Sequence, residues 1–160
     1  MTDSYINPGK FFLKKWTKQD KIPYQLLLMA DPSISRIEGY LSFCDLFLLM
    51  DNDNCLGCCA LRRQNDESAE IMNIAVDPSY RRLGLGSRML EHATKTSREN
   101  GVKRLIIGTG NSSTDQIRLY FRHGFRISEI KKNYFLLNYV DPITENGIPC
   151  RDMIVLTKEL

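Results

Sequence analysis

Apolar residues come in short runs, separated by Asp, Asn, Gly and Pro, and the period of the runs changes along the chain. Phe11 to Trp16 predicts a first strand. Leu46–Met50, Cys55–Leu61 and Ile71–Val76 are compact apolar runs of strand length, with turn chemistry at Asp51-Asn52-Asp53-Asn54 and at Gln64 to Ser68. They predict an antiparallel meander, and Leu46–Met50 is too apolar for an exposed edge. Between the first strand and the meander, two short helices are expected. One runs through Tyr24 to Ala30, with Thr17 as a cap signal three residues before Asp20 and Pro23 in its early turn. The other runs through Ile34, Ile37, Tyr40 and Leu41, with Asp31 as its cap and Pro32 in its first turn.

Past Gly86 the period becomes helical. Met89, Leu90 and Ala93 fall on one face, with Arg88, Glu91 and Lys95 outward, and Asn100-Gly101 gives a left-handed stop. Arg104–Ile107 is a short buried strand. Strand, helix and strand over this length make a βαβ unit, so Ile71–Val76 and Arg104–Ile107 should lie parallel. Ser112 to His123 predicts another helix, ended by Gly124. Strands are expected near Arg126–Leu137 and Arg151–Leu156, with a loop from Asn138 to Pro149 between them.

Length and charge narrow the class. A chain of 160 residues is read as one domain, 1–160, with a proper core. The net charge of +3 is mild and its basic residues are scattered, so nucleic acid is not called for. No apolar run approaches the ~18 residues of a membrane span. The N-terminus lacks the positive-then-apolar order of a leader, and no membrane partner is expected. Five cysteines, two of them adjacent at Cys58-Cys59, argue against disulfide pairing and for a reducing cytoplasm. Cys55-x-x-Cys58 lacks the second ligand pair that zinc requires, and the Asp51–Asn54 turn lacks the spacing of a calcium loop, so no metal is expected.

The stretch richest in chemistry runs from Ile71 to His92. A strand ends at Val76, Asp77-Pro78 stops it, and Arg81, Gly84 and Gly86 precede a helix. Two glycines one residue apart let the backbone turn sharply and approach a ligand closely. The helix start offers unpaired N–H groups and a positive dipole end, which suit a phosphate or pyrophosphate; an ordinary strand-to-helix turn has the same outline. The P-loop triplet is absent, and the dinucleotide fingerprint is incomplete.

Arg81-x-x-Gly84-x-Gly86 behind Val76-Asp77-Pro78 resembles the acetyl-CoA loop of the GNAT superfamily of N-acetyltransferases. A second block, Asn111 followed by Leu119-Tyr120-Phe121-Arg122-His123-Gly124-Phe125, resembles that family's Asn … Tyr-x-x-x-Gly-Phe segment. The two blocks span roughly residues 70 to 125, and the order of elements agrees along the chain. The resemblance implies an α/β (α+β) GNAT fold: a mixed, mostly antiparallel sheet of six to seven strands, about four flanking helices, and a central parallel pair splayed around the cofactor. It implies acetyl-CoA as co-substrate and an amine acceptor as partner. Homodimers are common in that family.

By the same resemblance, backbone groups of Ile74, Ala75 and Val76 would pair with the pantetheine arm, and the Val76 N–H would face the oxyanion. N–H groups of Arg82, Leu83, Gly84, Leu85, Gly86 and Ser87 would take the pyrophosphate, with charge added by Arg81 and Arg82. Tyr120 matches the general acid for the departing thiolate, and its other reading is a core tyrosine. Asn111 would bond the pantetheine arm or cap the following helix.

The acceptor sets the harder problem. A lysine-like amine has a pKa near ~10.4, so about one in 2,500 is neutral at pH 7. Glu70 stands where the histone-acetylating branch carries its base; Glu145, Asp141 and Asp45 are looser candidates. Tyr134, Phe135 and Tyr139 either wall an acceptor pocket or simply pack. Two function classes stay open: an acetyl-CoA-dependent N-acetyltransferase, acting on a small amine or on a protein lysine or N-terminus, and a CoA-binding module without turnover. The retained Tyr120 favours the enzyme.

Overall fold

The structure is a computed structural model that describes residues 10–160. The reading of the extreme N-terminus as carrying no leader falls outside that span. The described residues form two compact units, residues 10–61 with 73–89 and residues 62–72 with 90–160.

The first unit begins with β1 (Phe11–Lys15), α1 (Tyr24–Ala30), α2 (Ile34–Leu41) and β2 (Asp45–Asp51). β3 (Asn54–Arg63) and β4 (Ser68–Val76) each run through both units. β1 pairs antiparallel with β2, and β2 with β3, from Asp45↔Leu61 to Asp51↔Asn54. Leu46 to Met50 and Leu56 to Leu61 are buried at every position, on both faces, as interior strands require. Cys58 and Cys59 point to opposite faces and are both buried among these residues, as expected for small strand fillers.

Both early helices form where the apolar spacing predicts, but their caps differ. Thr17 does not start α1. Its N–H and hydroxyl both bond Asp20 Oδ2, at 2.9 and 3.0 Å, in a tight turn that Lys14 braces from the other carboxylate oxygen at 2.5 Å. α1 instead starts behind Pro23, whose carbonyl accepts the Leu27 N–H at 3.1 Å. Asp31 does not cap α2, because its backbone N–H still closes α1 on the Leu27 carbonyl at 3.0 Å. The cap is Ser33, whose hydroxyl accepts from the Arg36 N–H, and Pro32 lies ahead of it.

α3 (Leu85–Glu99) buries Leu85, Met89, Leu90, Ala93, Thr94 and Ser97, a stripe at helical spacing. Arg88 is only half-buried and sends Nη2 to the Phe11 carbonyl at 3.0 Å, so it is not a purely outward residue. The helix ends as predicted: Gly101 has φ +75°, and the N–H groups of Gly101 and Val102 return to the carbonyls of Arg98 and Ser97.

In the second unit, β5 (Arg104–Gly110) lies parallel to β4, in register from Ser68↔Arg104 to Ile71↔Ile107. The ladder ends there, and both strands run on, β4 to Val76 and β5 to Gly110. α4 (Thr114–Arg122), β6 (Arg126–Lys131), α5 (Tyr134–Asn138), β7 (Thr144–Glu145), β8 (Ile148–Pro149) and β9 (Met153–Glu159) complete the chain. β9 pairs antiparallel with both β5 and β6. Among the described residues the strand order is β1-β2-β3-β4-β5-β9-β6, seven strands with one parallel pair.

Three expectations for the C-terminal third are corrected. The strand expected over Arg126–Leu137 stops at Lys131. Asn133 takes a left-handed φ of +58° and gives its N–H to Asp152 Oδ1 at 2.8 Å, and the apolar run behind it coils into α5. The last strand begins at Met153, not Arg151, because the Arg151 and Asp152 N–H groups are bonded by Asn111. The Asn138–Pro149 segment contains a hairpin, β7 with β8, turned by Asn146 (φ +54°) and Gly147 (φ +71°). Asn-Gly with both residues left-handed is the usual two-residue hairpin turn.

Candidate active site

The turn after β4 is built from local hydrogen bonds in the first unit. The Asp77 N–H holds the Leu56 carbonyl at 2.7 Å, and its carboxylate accepts the Ser79 N–H at 2.8 Å. Pro78–Tyr80 makes one 3-10 turn, and Arg81 returns to extended backbone. Arg82 (φ +64°) and Gly84 (φ +73°) are both left-handed. Gly86 is not the second special position, because it lies inside the first turn of α3. A left-handed residue with a side chain costs roughly 1–2 kcal/mol, and such strain concentrates at binding loops.

The Arg88 N–H reaches the Gly84 carbonyl at 3.1 Å, closing the first turn of α3. The N–H groups of Leu85 and Gly86 lie ahead of that bond and have no acceptor within the helix. Leu85 is buried and fixes the helix start, while Arg81, Arg82, Leu83 and Gly84 are exposed. The result is an exposed loop with two left-handed turns, two arginines and a helix N-terminus, an arrangement suited to an anion of pyrophosphate size. Ile74 and Val76 are half-buried in the last part of β4, and Ala75 is buried on the opposite face.

That opposite face also carries Asn73, a residue the sequence reading did not single out. It is 3 % exposed. Its Nδ2 donates to the Leu27 carbonyl at 2.9 Å and to the Tyr40 hydroxyl at 3.0 Å, tying β4 to both early helices. Burial pushes the Tyr40 phenol up to about 12. No periodicity or motif marks Asn73, which sits in an otherwise apolar strand.

The second unit holds the remaining candidates. Tyr120 lies in α4, 4 % exposed, with its ring 6.0 Å from that of Phe125. The Asn111 side chain is committed to the C-terminal segment. Its Oδ1 accepts from the N–H groups of Arg151 and Asp152 at 2.8 and 3.0 Å, and its Nδ2 donates to the Pro149 carbonyl at 3.2 Å. The cap position of α4 is Ser113, so Asn111 does not cap that helix. Glu145 in β7 accepts from the Ser113 hydroxyl at 2.5 Å, and Asn146 donates to the Ser112 carbonyl at 3.0 Å. These bonds pin the hairpin to the start of α4. The Asn146-Gly147 pair was the available signal for it.

Glu70 is half-buried on β4, and burial raises its carboxyl above the ordinary glutamate value. Lys131, Gln64 and Arg62 act the other way. Gln64 Nε2 donates to Glu70 Oε2 at 2.6 Å, a partner that sequence patterns did not reveal. Of the looser candidates, Asp45 is taken up by Lys15 at 2.6 Å and Asp141 is exposed. Tyr134, Phe135 and Tyr139 pack on one another, with centroids 5.3 and 5.5 Å apart. The Cys58 and Cys59 thiols are pushed up by burial, Cys59 to about 12, which leaves them poor nucleophiles. Among the described residues no group of three or more His, Cys, Asp or Glu is placed to hold a metal.

The described residues thus form a mixed sheet with one parallel pair, and an exposed turn with two left-handed residues follows the first strand of that pair and leads into its crossover helix. Comparison with known proteins places the chain within a family. Residues 12–125 match the family described as Acetyltransferase (GNAT). An N-acetyltransferase of Bacillus subtilis strain 168, YvbK, itself uncharacterised, is 39 % identical over 137 residues, which is 86 % of this chain and 88 % of that protein. A crystal structure of a GNAT family acetyltransferase from Elizabethkingia anophelis with acetyl-CoA bound is 44 % identical, with TM-score 0.92, covering 94 % of this chain and 99 % of that one. The structure of an IAA acetyltransferase from Bacillus cereus ATCC 14579 is 39 % identical, with TM-score 0.89 and the same coverage. This chain belongs to the GNAT acetyltransferase family and has its fold.

Proposed function

We propose that this protein transfers the acetyl group of acetyl-CoA to a primary amine by direct attack in a ternary complex, and that the acceptor is a small molecule. The observation that carries the reading is the loop from Arg81 to Ser87, where left-handed Arg82 and Gly84 lead straight into the exposed start of α3. Backbone N–H groups from Arg82 through Ser87 take the pyrophosphate, and the Arg81 and Arg82 guanidinium groups add charge. Beyond the end of the parallel ladder, backbone groups of Ile74, Ala75 and Val76 pair with the pantetheine arm. Bound this way, the thioester is a fixed target.

Glu70 accepts a proton from the acceptor ammonium, and the neutral nitrogen attacks the thioester carbon. The oxyanion is held by the Val76 N–H, an interaction worth about 2.7–4 kcal/mol where one such donor has been removed. The carbon–sulfur bond then breaks, Tyr120 donates its proton to the departing thiolate, and the acylated nitrogen releases its remaining extra proton to solvent, from which Tyr120 is reprotonated. Phenol at ~10 is a weaker acid than thiol at ~8.5, so the transfer is not strongly driven, and the contribution of Tyr120 is bounded at roughly 10²–10⁴. Asn111 serves the site by holding the hairpin and the start of β9, and its second Nδ2 hydrogen is the one that would reach the pantetheine arm.

A small acceptor is favoured because a peptide asks for an open groove, and the Asn138–Pro149 segment is folded into a hairpin pinned to α4. Five cysteines, none of them in a disulfide among the described residues, support a reducing, cytoplasmic setting. Among the described residues no helix is long and apolar enough to cross a membrane.

The test is thiol release from acetyl-CoA against polyamines, aminoglycosides, amino acids and short lysine or free-N-terminal peptides. Wild type and Tyr120→Phe are run together, with CoA binding by calorimetry and a sizing column for a homodimer. Release with a small amine, reduced at least tenfold in single-turnover chemistry by Tyr120→Phe, is expected. Release with peptides alone would overturn the acceptor class, and no CoA binding would overturn the loop assignment.

A further inference from the structure

Gln64 stands just past the end of β3, in the turn that leads to β4, and its backbone is firmly placed. Its N–H donates to the Ser68 carbonyl at 2.9 Å, and the Asn65 N–H shares that acceptor at 3.3 Å. The Asn65 side chain in turn accepts the N–H groups of Glu67 and Ser68, both at 2.9 Å. From that fixed backbone the exposed Gln64 side chain spans to Glu70 Oε2 at 2.6 Å. Ser68 and Glu70 are two apart on β4 and share a face.

We propose that Gln64 is a positioning residue for the base: its amide fixes one oxygen of the Glu70 carboxylate and aims the other at the acceptor nitrogen. This rests on Glu70 being the base, as proposed above. A carboxylate at a strand start has free χ rotation unless something holds it, and a hydrogen bond to an ionised acceptor is the stronger kind. The other charged groups acting on Glu70 are Arg62 on β3 and Lys131 on β6, and both favour the ionised carboxylate. Gln64 acts in the same direction while also setting geometry. Removing its donor therefore raises the pH at which Glu70 becomes a competent base.

The test uses the full chain, carbon-13 labelled at glutamate, with the Glu70 carboxyl resonance assigned through Glu70→Gln. Gln64→Met keeps the length and loses the donor, and Gln64→Glu puts a like charge in its place. The Glu70 titration midpoint is expected to rise by roughly half to one pH unit in Gln64→Met and further in Gln64→Glu. For the amine found in the acceptor screen, the acid limb of kcat/KM should move upward by the same interval, a loss of about three- to tenfold at pH values well below the wild-type midpoint that vanishes above both midpoints. Gln64→Met added to Glu70→Gln should cost nothing more. A titration that does not move overturns the hydrogen bond as the positioning device. A limb that responds to Glu70→Gln but not to Gln64→Met overturns the positioning role and leaves the base intact. A profile indifferent to Glu70→Gln overturns the base assignment itself.

Discussion

Gly84→Ala isolates the backbone of the proposed cofactor loop. Gly84 has φ +73°, and a Cβ built there meets nothing within 4 Å, so the substitution adds no clash. What it adds is the left-handed penalty, roughly 1–2 kcal/mol for an L-residue, against about 0.4–1 kcal/mol returned by stiffening the unfolded chain. The net expected loss of stability is about 0–1.6 kcal/mol if the loop keeps its shape. The loop has a cheaper course: it is exposed, so an alanine at this position can leave the left-handed region and rotate the neighbouring N–H groups away. Each hydrogen bond lost to a charged pyrophosphate is worth about 1.5–3 kcal/mol, or some ten- to hundredfold in affinity. Calorimetry with CoA, alongside urea unfolding, separates the two outcomes. Weakening by tenfold or more with a stability loss below about 1 kcal/mol is expected. Arg82→Asn is the control, because Asn tolerates the left-handed region and should keep the geometry while losing one charge. CoA binding within twofold of wild type in Gly84→Ala would refute the claim that these left-handed turns aim the N–H groups.

Three further outcomes follow from the same structure. Burial raises the Glu70 carboxyl in the fold, so its ionisation costs stability as pH rises above the unfolded value. Glu70→Gln should therefore raise Tm at pH 8 but not at pH 4, while lowering kcat/KM at neutral pH and moving its optimum upward; an unchanged pH–rate profile would reject the base role. Asn73→Asp places a carboxylate where a donor faces the Leu27 carbonyl, so the variant should be near wild type at pH 4 and weaker by several kcal/mol at pH 8, as read by urea unfolding at both pH values; a pH-independent difference would count against it. Asn111→Ala removes three hydrogen bonds that hold the hairpin and the start of β9, and should cost about 2–4 kcal/mol and speed amide exchange from Thr144 to Asp152 above other segments.

The sequence determined the secondary elements wherever a period or a turn residue is decided locally. The buried runs Leu46–Met50 and Cys55–Leu61, the helix stripe through Met89, Leu90 and Ala93, and the left-handed stop at Gly101 depend on each residue and its near neighbours. The same holds for the strand, glycine turn and helix around Arg81 to Gly86, which is why the family was legible there. Tertiary structure decided what depends on distant partners. Tyr134-Phe135-Leu136-Leu137 suits a strand on propensity, and it coils because Asn133 is held left-handed by Asp152, far along the chain. Thr17 and Asp31 have capping chemistry, but each is spent closing a different local ring. Asn111 carries the family pattern, yet its amide is committed across forty residues to Arg151 and Asp152. Asn73 carries no pattern and Gln64 only that of a turn, and only the folded chain brings them to Leu27, Tyr40 and Glu70. A hydrogen bond between side chains needs two atoms within about 3 Å, and residue type and spacing alone do not specify that distance once the partners lie on different elements.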